Sequence, residues 1–228
     1  PLLDADLEPT QPAHEDVPLR VYAARWHVLA IYSACAFLNQ AMWLSFAPTA
    51  GETAARYRVP VEAITALNTS AAVLFMPGAW LCARCLARDG LRATVLGACV
   101  MQAVGAVIRY LAELMVRPAA GPHASFAVLV CGQALASLAA PVFLNLPTAV
   151  AEAWFDAQGR DGAMAVGTLS SLLGQGAGSA LAGSLVRGPR ADGTQSLLEA
   201  QMLLSLVLCL WTGACFRGAP PTPPSRTA

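Results

Sequence analysis

The sequence predicts an all-α membrane protein with six transmembrane helices, and its composition and charge pattern both support this fold class. Of the 228 residues, 56% are hydrophobic and only 12% are charged. The charged residues leave five long uncharged stretches, and a sixth is interrupted only by Arg109 and Glu113. A helix needs about 20 mainly apolar residues to cross a bilayer, and a charge at its centre costs about 2.5–3.5 kcal/mol. The uncharged stretches are 26–51, 63–83, 93–108, 118–151, 162–186 and 200–216.

The first three predicted helices occupy 26–48, 61–83 and 91–115. The first ends at Pro48, because a proline removes a helical hydrogen bond and commonly kinks or ends a helix. A short hydrophilic turn precedes the second helix, in which Pro77 predicts a kink that neighbouring helices tolerate. Near the end of the third helix, Arg109 and Glu113 lie one turn apart, and this spacing predicts an ion pair.

The last three predicted helices occupy 124–151, 161–186 and 196–216. The fourth is long enough to require bends, which Pro141 and Pro147 would supply. The fifth is rich in glycine, and the pair Gly174 and Gly178 is spaced as in motifs that let another helix approach closely.

The predicted organisation is a disordered cytoplasmic tail at 1–20, a six-helix transmembrane bundle at 21–217 and a Pro-rich cytoplasmic linker at 218–228. Six spans place both termini on one face. The cytoplasmic face is expected to carry eight arginines against six outside, so the termini are predicted to be cytoplasmic. The first residue is Pro rather than Met, and the chain is expected to be a fragment of a multi-pass protein of the plasma membrane.

Several functional classes are not supported. The formal net charge is zero, which gives no reason to expect a nucleic-acid partner. The three histidines are scattered and no catalytic motif is present, so no enzyme activity, catalytic residue, metal site or cofactor is predicted. Cys82 and Cys85 have the spacing of a metal or redox pair, but a second pair is absent and we interpret them as structural.

Polar residues within the predicted helices indicate a candidate substrate site. Asn39 and Trp43 lie one turn apart on the first helix. On the fourth and fifth helices, Gln133, Asn145 and Gln175 belong to rows with four-residue spacing, which places each row on one helix face. Such residues either hydrogen-bond between helices or line a solvated cavity. Both interpretations stay open for the four amides.

Trp43 also has two interpretations. A tryptophan near the end of a span is commonly an interfacial anchor. On a polar helix face, it can instead present its ring to a cationic or planar ligand.

Six segments resemble one known family in sequence, order and spacing. These segments are Tyr22-Ala-Ala-Arg25-Trp26, Asn39-Gln-Ala-Met-Trp43-Leu-Ser-Phe-Ala-Pro48, Asp89-Gly90-Leu91-Arg92, Gly132-Gln133-Ala-Leu, Leu144-Asn-Leu-Pro147-Thr148 and Ala153-Trp154-Phe155. The chain resembles the amino-terminal half of solute carrier family 49, the feline leukaemia virus subgroup C receptor-like transporters of the major facilitator superfamily. The resemblance covers about residues 20–225.

The resemblance implies a transporter with twelve helices in two bundles that rock about a central site. This chain would be the amino-terminal bundle, embedded in the lipid bilayer, and its partners would be a carboxy-terminal six-helix bundle and a small organic solute. Heme and choline are the substrates implied by better-known relatives. The tryptophan that matches Trp43 lies in their substrate site, whereas the glutamine that joins it in choline-transporting members falls at Ala140 here.

A second function from another class stays open at this point. A six-helix protein without a second bundle would not transport, and could act as a scaffold or as a regulatory partner.

Overall fold

The computed structural model describes residues 20–116, 122–188, 192–222 and 224. Within them the chain forms seven α-helices and one short 3₁₀ helix, with no β-strand, so the predicted all-α fold is confirmed. The expected tail lies outside the described residues except for Arg20, and the described part of the expected linker has no helix. The elements are α1 (Ala24–Trp43), the 3₁₀ helix (Leu44–Phe46), α2 (Ala50–Tyr57), α3 (Val61–Met115), α4 (Pro122–Asn145), α5 (Pro147–Trp154), α6 (Arg160–Val186) and α7 (Gly193–Cys215).

Several predicted helix boundaries differ from the structure, and the second helix continues to 89 rather than ending at 83. The expected hydrophilic turn after the first helix contains α2, an eight-residue helix that is followed by Arg58 in the left-handed region. The predicted fourth helix is divided at Leu146, whose ψ of 4° breaks the helical repeat before Pro147 starts α5. Proline is well suited to a first helical position because it has no N–H to donate. By contrast, Pro141 is accommodated inside α4.

The longest element, α3, consists of two helical arms joined at Gly90. This residue has φ 79° and ψ 177°, a conformation available essentially only to glycine. A straight helix of 55 residues would be about 80 Å long. Instead, Ile64 from the first arm (61–89) and Ala112 from the second (91–115) share one buried cluster with Leu129 of α4. The two arms therefore fold back beside each other.

Four described elements have the length and hydropathy of a membrane span, against six predicted. They are α1 with its 3₁₀ extension, α3, α4 and α7. The two arms of α3 are counted together as one of these four elements. The glycines and small polar residues of α6 lower its hydropathy.

Glycines allow two helix pairs to pack with their backbones almost in contact. A Cβ atom added at Gly174 or Gly178 of α6 would overlap the backbone of Phe37 or Ala41 in α1. Gly105 of α3 and Gly132 of α4 interlock in the same way, since a Cβ on either would lie 2.8 Å from the carbonyl oxygen of the other. The predicted role of the Gly174 and Gly178 pair in close helix packing is therefore confirmed.

The predicted ion pair between Arg109 and Glu113 does not form. Glu113 pairs with Arg56 of α2 and also accepts a hydrogen bond of 3.0 Å from the Tyr57 hydroxyl. Burial and the adjacent carboxylate raise the pKa of Tyr57, which keeps its proton available for donation. Spacing along one helix could not reveal this outcome, because the competing partners come from a separate short helix.

Arg109 is fully buried and is held by other groups. Its Nη2 donates to Ser45 Oγ at 2.9 Å, and its guanidinium lies 4.7 Å from the centre of the Phe46 ring. Its Nε and Nη1 have no hydrogen-bond partner among the described residues. The carboxylate of Glu113, one turn away, is engaged by α2.

A second ion pair attaches α2 to the end of α6. Arg187 Nε donates to Glu52 Oε1 at 2.7 Å, and Arg187 Nη2 also donates to the Pro48 carbonyl. The hydrogen bond from Arg187 lowers the pKa of Glu52. The short helix α2 is therefore tied to α3 on one side and to α6 on the other.

We expect Gly174→Ala to destabilise the protein, because the new methyl group would force α6 away from α1. Overpacking of this kind typically costs about 1–3 kcal/mol. The measurement is the thermal unfolding midpoint of the detergent-solubilised protein. Gly176→Ala is the matched control, since its added Cβ would meet nothing within 4 Å. Equal midpoints for the two variants would contradict the close packing of α1 and α6.

We expect Glu113→Ala to be strongly destabilising, because it would leave Arg56 without its partner and the buried Arg109 without a nearby negative charge. Removal of one member of a buried ion pair costs about 3–5 kcal/mol. The measurement is the thermal unfolding midpoint, which this loss of stability should lower. Glu62→Ala is the control, because Glu62 is an exposed acidic residue at the start of the same element. Equal unfolding midpoints for the Glu113 and Glu62 variants would rule out this role of Glu113.

Candidate solute site

A cavity of about 340 Å³ lies between α1, the first arm of α3 and α4. Its lining is largely apolar, with a few amide groups and one hydroxyl. The described residues contribute no Asp, Glu, Arg or His to its wall. The lining residues are Asn39, Gln40, Met42, Trp43, Ala71, Ala72, Phe75, Gln133, Ala136, Ser137, Ala140 and Leu144.

Three of the five predicted site residues line this cavity, namely Asn39, Trp43 and Gln133. The other two do not. Asn145 is exposed at the end of α4, and Gln175 is half-buried on α6. Four-residue spacing identified one face of each helix, but it could not show how far along that face the cavity extends.

Trp43 is the last residue of α1, and its side chain is half-buried in the cavity wall. Its indole Nε1 donates to the carbonyl oxygen of Asn68 at 3.5 Å, which ties the ring edge to the first arm of α3. A hydrogen bond at the ring edge leaves the faces of the indole available for contact.

A chain of amides connects three helices beside the cavity. Gln175 Nε2 of α6 donates to Gln40 Oε1 at 2.9 Å, and Gln40 Nε2 donates to Asn39 Oδ1 at 3.2 Å. Asn39 Nδ2 then donates to the Ala136 carbonyl of α4 at 3.2 Å. Gln175 therefore acts on the cavity wall indirectly, by orienting Gln40. The side chains of Asn39 and Gln40 are already engaged within the protein.

Gln133 differs from the other amides. Its side chain is 1% exposed, and its Oε1 has no hydrogen-bond partner among the described residues. The adjacent Ser137 is satisfied, since its hydroxyl donates to the Gln133 carbonyl at 2.7 Å. An unpaired buried acceptor is costly. Gln133 is thus the amide in this wall with unused hydrogen-bonding capacity.

Sequence reasoning missed two lining residues of chemical interest, Gln40 and Phe75. Gln40 follows Asn39 directly and is a fully buried polar residue. Helix spacing alone did not assign it to the site. Phe75 adds a second aromatic side chain to the cavity wall opposite α1. A polar residue adjacent to Asn39 was the available signal for Gln40; Phe75 could not be distinguished from other apolar residues of its span.

Three cysteines, Cys35, Cys82 and Cys99, are buried among apolar side chains of the main core. Cys82 is buried in the main core, whereas Cys85 is half-buried. Cys35 and Cys99 lie with their sulfur atoms 3.5 Å apart in the same core. Within the described ranges, no group of three or more His, Cys, Asp or Glu side chains could hold a metal ion.

The chain is similar to transporter proteins along most of its length. It is 29% identical over 212 residues to solute carrier family 49 member A3 of Danio rerio, a match that covers 91% of this chain and 43% of that protein. The Xenopus tropicalis member A3 is 25% identical over 210 residues, with 92% and 43% covered. The human choline/ethanolamine transporter FLVCR2 is 27% identical over 224 residues, with 91% and 39% covered. No protein-family profile matches the chain.

The resemblance to solute carrier family 49 is confirmed. These homologues are transporters by name, so the chain is a relative of membrane transport proteins. It spans less than half the length of the curated relatives that it matches, which agrees with the expected half of a transporter.

Proposed function

We propose that this chain is the amino-terminal six-helix bundle of an alternating-access transporter for a small organic solute in the plasma membrane. The single observation that carries the proposal is the cavity containing Asn39, Trp43 and Gln133, located inside a chain homologous to solute carrier transporters. A second six-helix bundle would close the cavity from the opposite side. The bundles would then alternate access to it from the two faces of the membrane.

The six spans of this proposal are α1, the two arms of α3, α4, α6 and α7. The arms contain enough residues to cross a bilayer separately, and they run beside each other. Although α6 is less hydrophobic, it has 27 residues and its glycines pack against α1. This close packing against α1 supports its placement in the membrane.

The cavity lining favours an uncharged or cationic solute over an organic anion. The described wall offers no cation to a carboxylate, so the acidic groups of heme would find no partner in this half of the site. The faces of Trp43 and Phe75 can contact a cation, while the wall offers amide groups to a hydroxyl or an N–H. Choline and ethanolamine, named in the human relative, have these features and are the first compounds to test.

Ala140 distinguishes this cavity from the one implied by choline-transporting relatives. It lines the cavity at the position where the resemblance places a glutamine. A methyl group there leaves more space beside Trp43 and removes a polar contact. This difference supports a solute that is bulkier or less polar than choline, so the uptake panel should include larger alkylammonium compounds.

We expect Trp43→Ala to weaken solute affinity in transport by up to about thirtyfold, since a cation over an indole face gains about 0.5–2 kcal/mol. Trp43→Phe should lose less, because it retains an aromatic face. The measurement is concentration-dependent uptake of labelled choline or ethanolamine by cells that express the full transporter. Trp80→Ala provides the control, since Trp80 is 65% exposed and lies outside the cavity.

Two results would contradict this assignment. If the Trp43→Ala protein reached the membrane normally and kept its uptake parameters, Trp43 would be only an interfacial anchor. If none of the panel were taken up by the unmodified protein, the proposed solute class would be wrong.

The proposed topology predicts opposite accessibility for Ala157 and Ser196. Ala157 follows α5 on the cytoplasmic face, whereas Ser196 lies in the first turn of α7 near the outer face. Cysteines introduced singly should therefore react with an impermeant thiol reagent from opposite sides of intact and permeabilised cells. The parent protein, with its native cysteines, gives the background. Reaction of both positions from the same side would exclude the six-span arrangement.

A further inference from the structure

A second cavity of about 350 Å³ lies where α1 begins and α7 ends. It shares no lining residue with the solute cavity, and neither the transport proposal nor the sequence motifs assign it a role. Its wall combines apolar residues with two basic side chains. The lining residues are Ala24, His27, Val28, Trp154, Ala214, Cys215 and Arg217.

The two basic residues are held in place by aromatic neighbours. The His27 ring packs edge-on against Trp211, with ring centres 5.5 Å apart and planes at 71°. The indole Nε1 of the buried Trp154 donates to the Arg217 carbonyl at 3.2 Å. Phe216, the residue before Arg217, is 1% exposed in the main core. The backbone that carries the Arg217 side chain is thereby fixed at the cavity.

The local charges favour an anionic ligand. No acidic residue lines this cavity, and among the described residues Arg217 makes no ion pair. The nearby Asp156 is already engaged by Arg25 at 3.2 Å. In addition, α1 begins at Ala24 without a side-chain cap, so the positive end of its dipole lies at the same place.

The position of the cavity at the helix ends indicates a ligand from the membrane interface. Trp26 and Trp211 are 57% and 36% exposed near it, as expected for aromatic residues at the level of lipid head groups. Val28 of α1 and Ala214 of α7 are the lining residues that lie furthest into these two helices, on the side where an acyl chain would lie. Basic pockets between transmembrane helices are established sites for anionic head groups.

We propose that this cavity binds the phosphate group of an anionic phospholipid, with Arg217 and His27 as donors and the apolar wall against the upper part of an acyl chain. Under the proposed topology the lipid belongs to the cytoplasmic leaflet. A lipid bound here would bridge the first and last helices of the bundle. The same phosphate chemistry is available to soluble phosphate esters, which the test must distinguish.

The test uses the purified protein in a mild neutral detergent, with the thermal unfolding midpoint recorded against added lipid. A ligand that binds the folded state raises the midpoint in a concentration-dependent way. We expect phosphatidylglycerol to raise it, and phosphatidylcholine and glycerol 3-phosphate to have much smaller effects. Arg217→Gln should increase the phosphatidylglycerol concentration needed for half the effect by about tenfold, since charge-assisted hydrogen bonds to phosphate are strong. His27→Leu should act in the same direction.

Arg88→Gln is the matched control. Its side chain is 78% exposed beside the Gly90 turn, and that turn lies at the same end of the bundle because Arg92 contacts the end of α7. This variant removes the same charge from the same membrane face without touching the cavity, so its response to phosphatidylglycerol should be that of the unmodified protein.

Three outcomes would overturn the proposal. Equal losses in Arg217→Gln and Arg88→Gln would show general attraction of lipid to a basic surface. Equal stabilisation by phosphatidylcholine would remove the requirement for an anion. Equal stabilisation by glycerol 3-phosphate would assign the cavity to a soluble phosphate ester. If Arg217→Gln unfolds without lipid, Arg217→Lys keeps the charge but loses the planar fork, and it should show an intermediate lipid dependence.

Discussion

The arrangement of this bundle depends on helix backbones that approach one another through glycine. In a bilayer the lipid tails are as apolar as leucine, so burial of apolar side chains gives little drive for helices to associate. Close contact must supply the attraction instead. Gly174 and Gly178 bring α6 against α1, and Gly105 and Gly132 bring the second arm of α3 against α4. These two contacts set the distances at which the solute cavity and its amide chain form.

The amide chain shows why such distances matter for a site. Gln175, Gln40 and Asn39 are linked by hydrogen bonds of 2.9 and 3.2 Å, and the chain ends on a backbone carbonyl of α4. Each link joins groups that lipid could not satisfy, so separation of the helices would leave several buried polar groups unpaired at once. Polar satisfaction and close packing therefore support each other along this chain of amides. Elsewhere among the described residues, Gln133 Oε1 and the Nε and Nη1 of Arg109 are among the buried polar atoms without a hydrogen-bond partner.

The sequence was most informative about properties that depend on one segment at a time. Uncharged stretches predicted the long helices, because each helix needs enough apolar residues of its own to cross the bilayer. The glycine spacing likewise predicted a close helix contact. Partners from other segments were not predictable: Glu113 binds Arg56 and Tyr57 of a helix that appeared to be a turn. Likewise, Asn39 and Asn145 were both predicted to line the substrate site, yet Asn39 is buried at the cavity and Asn145 is exposed.

The reversal at Gly90 has a consequence for the mutations that this chain tolerates. The residue has open space around it, with nothing within 4 Å of a hypothetical Cβ. Judged by steric crowding alone, a larger residue would therefore be expected to fit at this position. Its φ of 79° and ψ of 177° are nevertheless outside the regions that any other residue adopts readily, including asparagine and aspartate. Every missense change of a glycine codon introduces a Cβ atom. Position 90 is therefore constrained by backbone conformation alone, and inherited variation there would impair the hairpin of α3 without disturbing a single packed side chain.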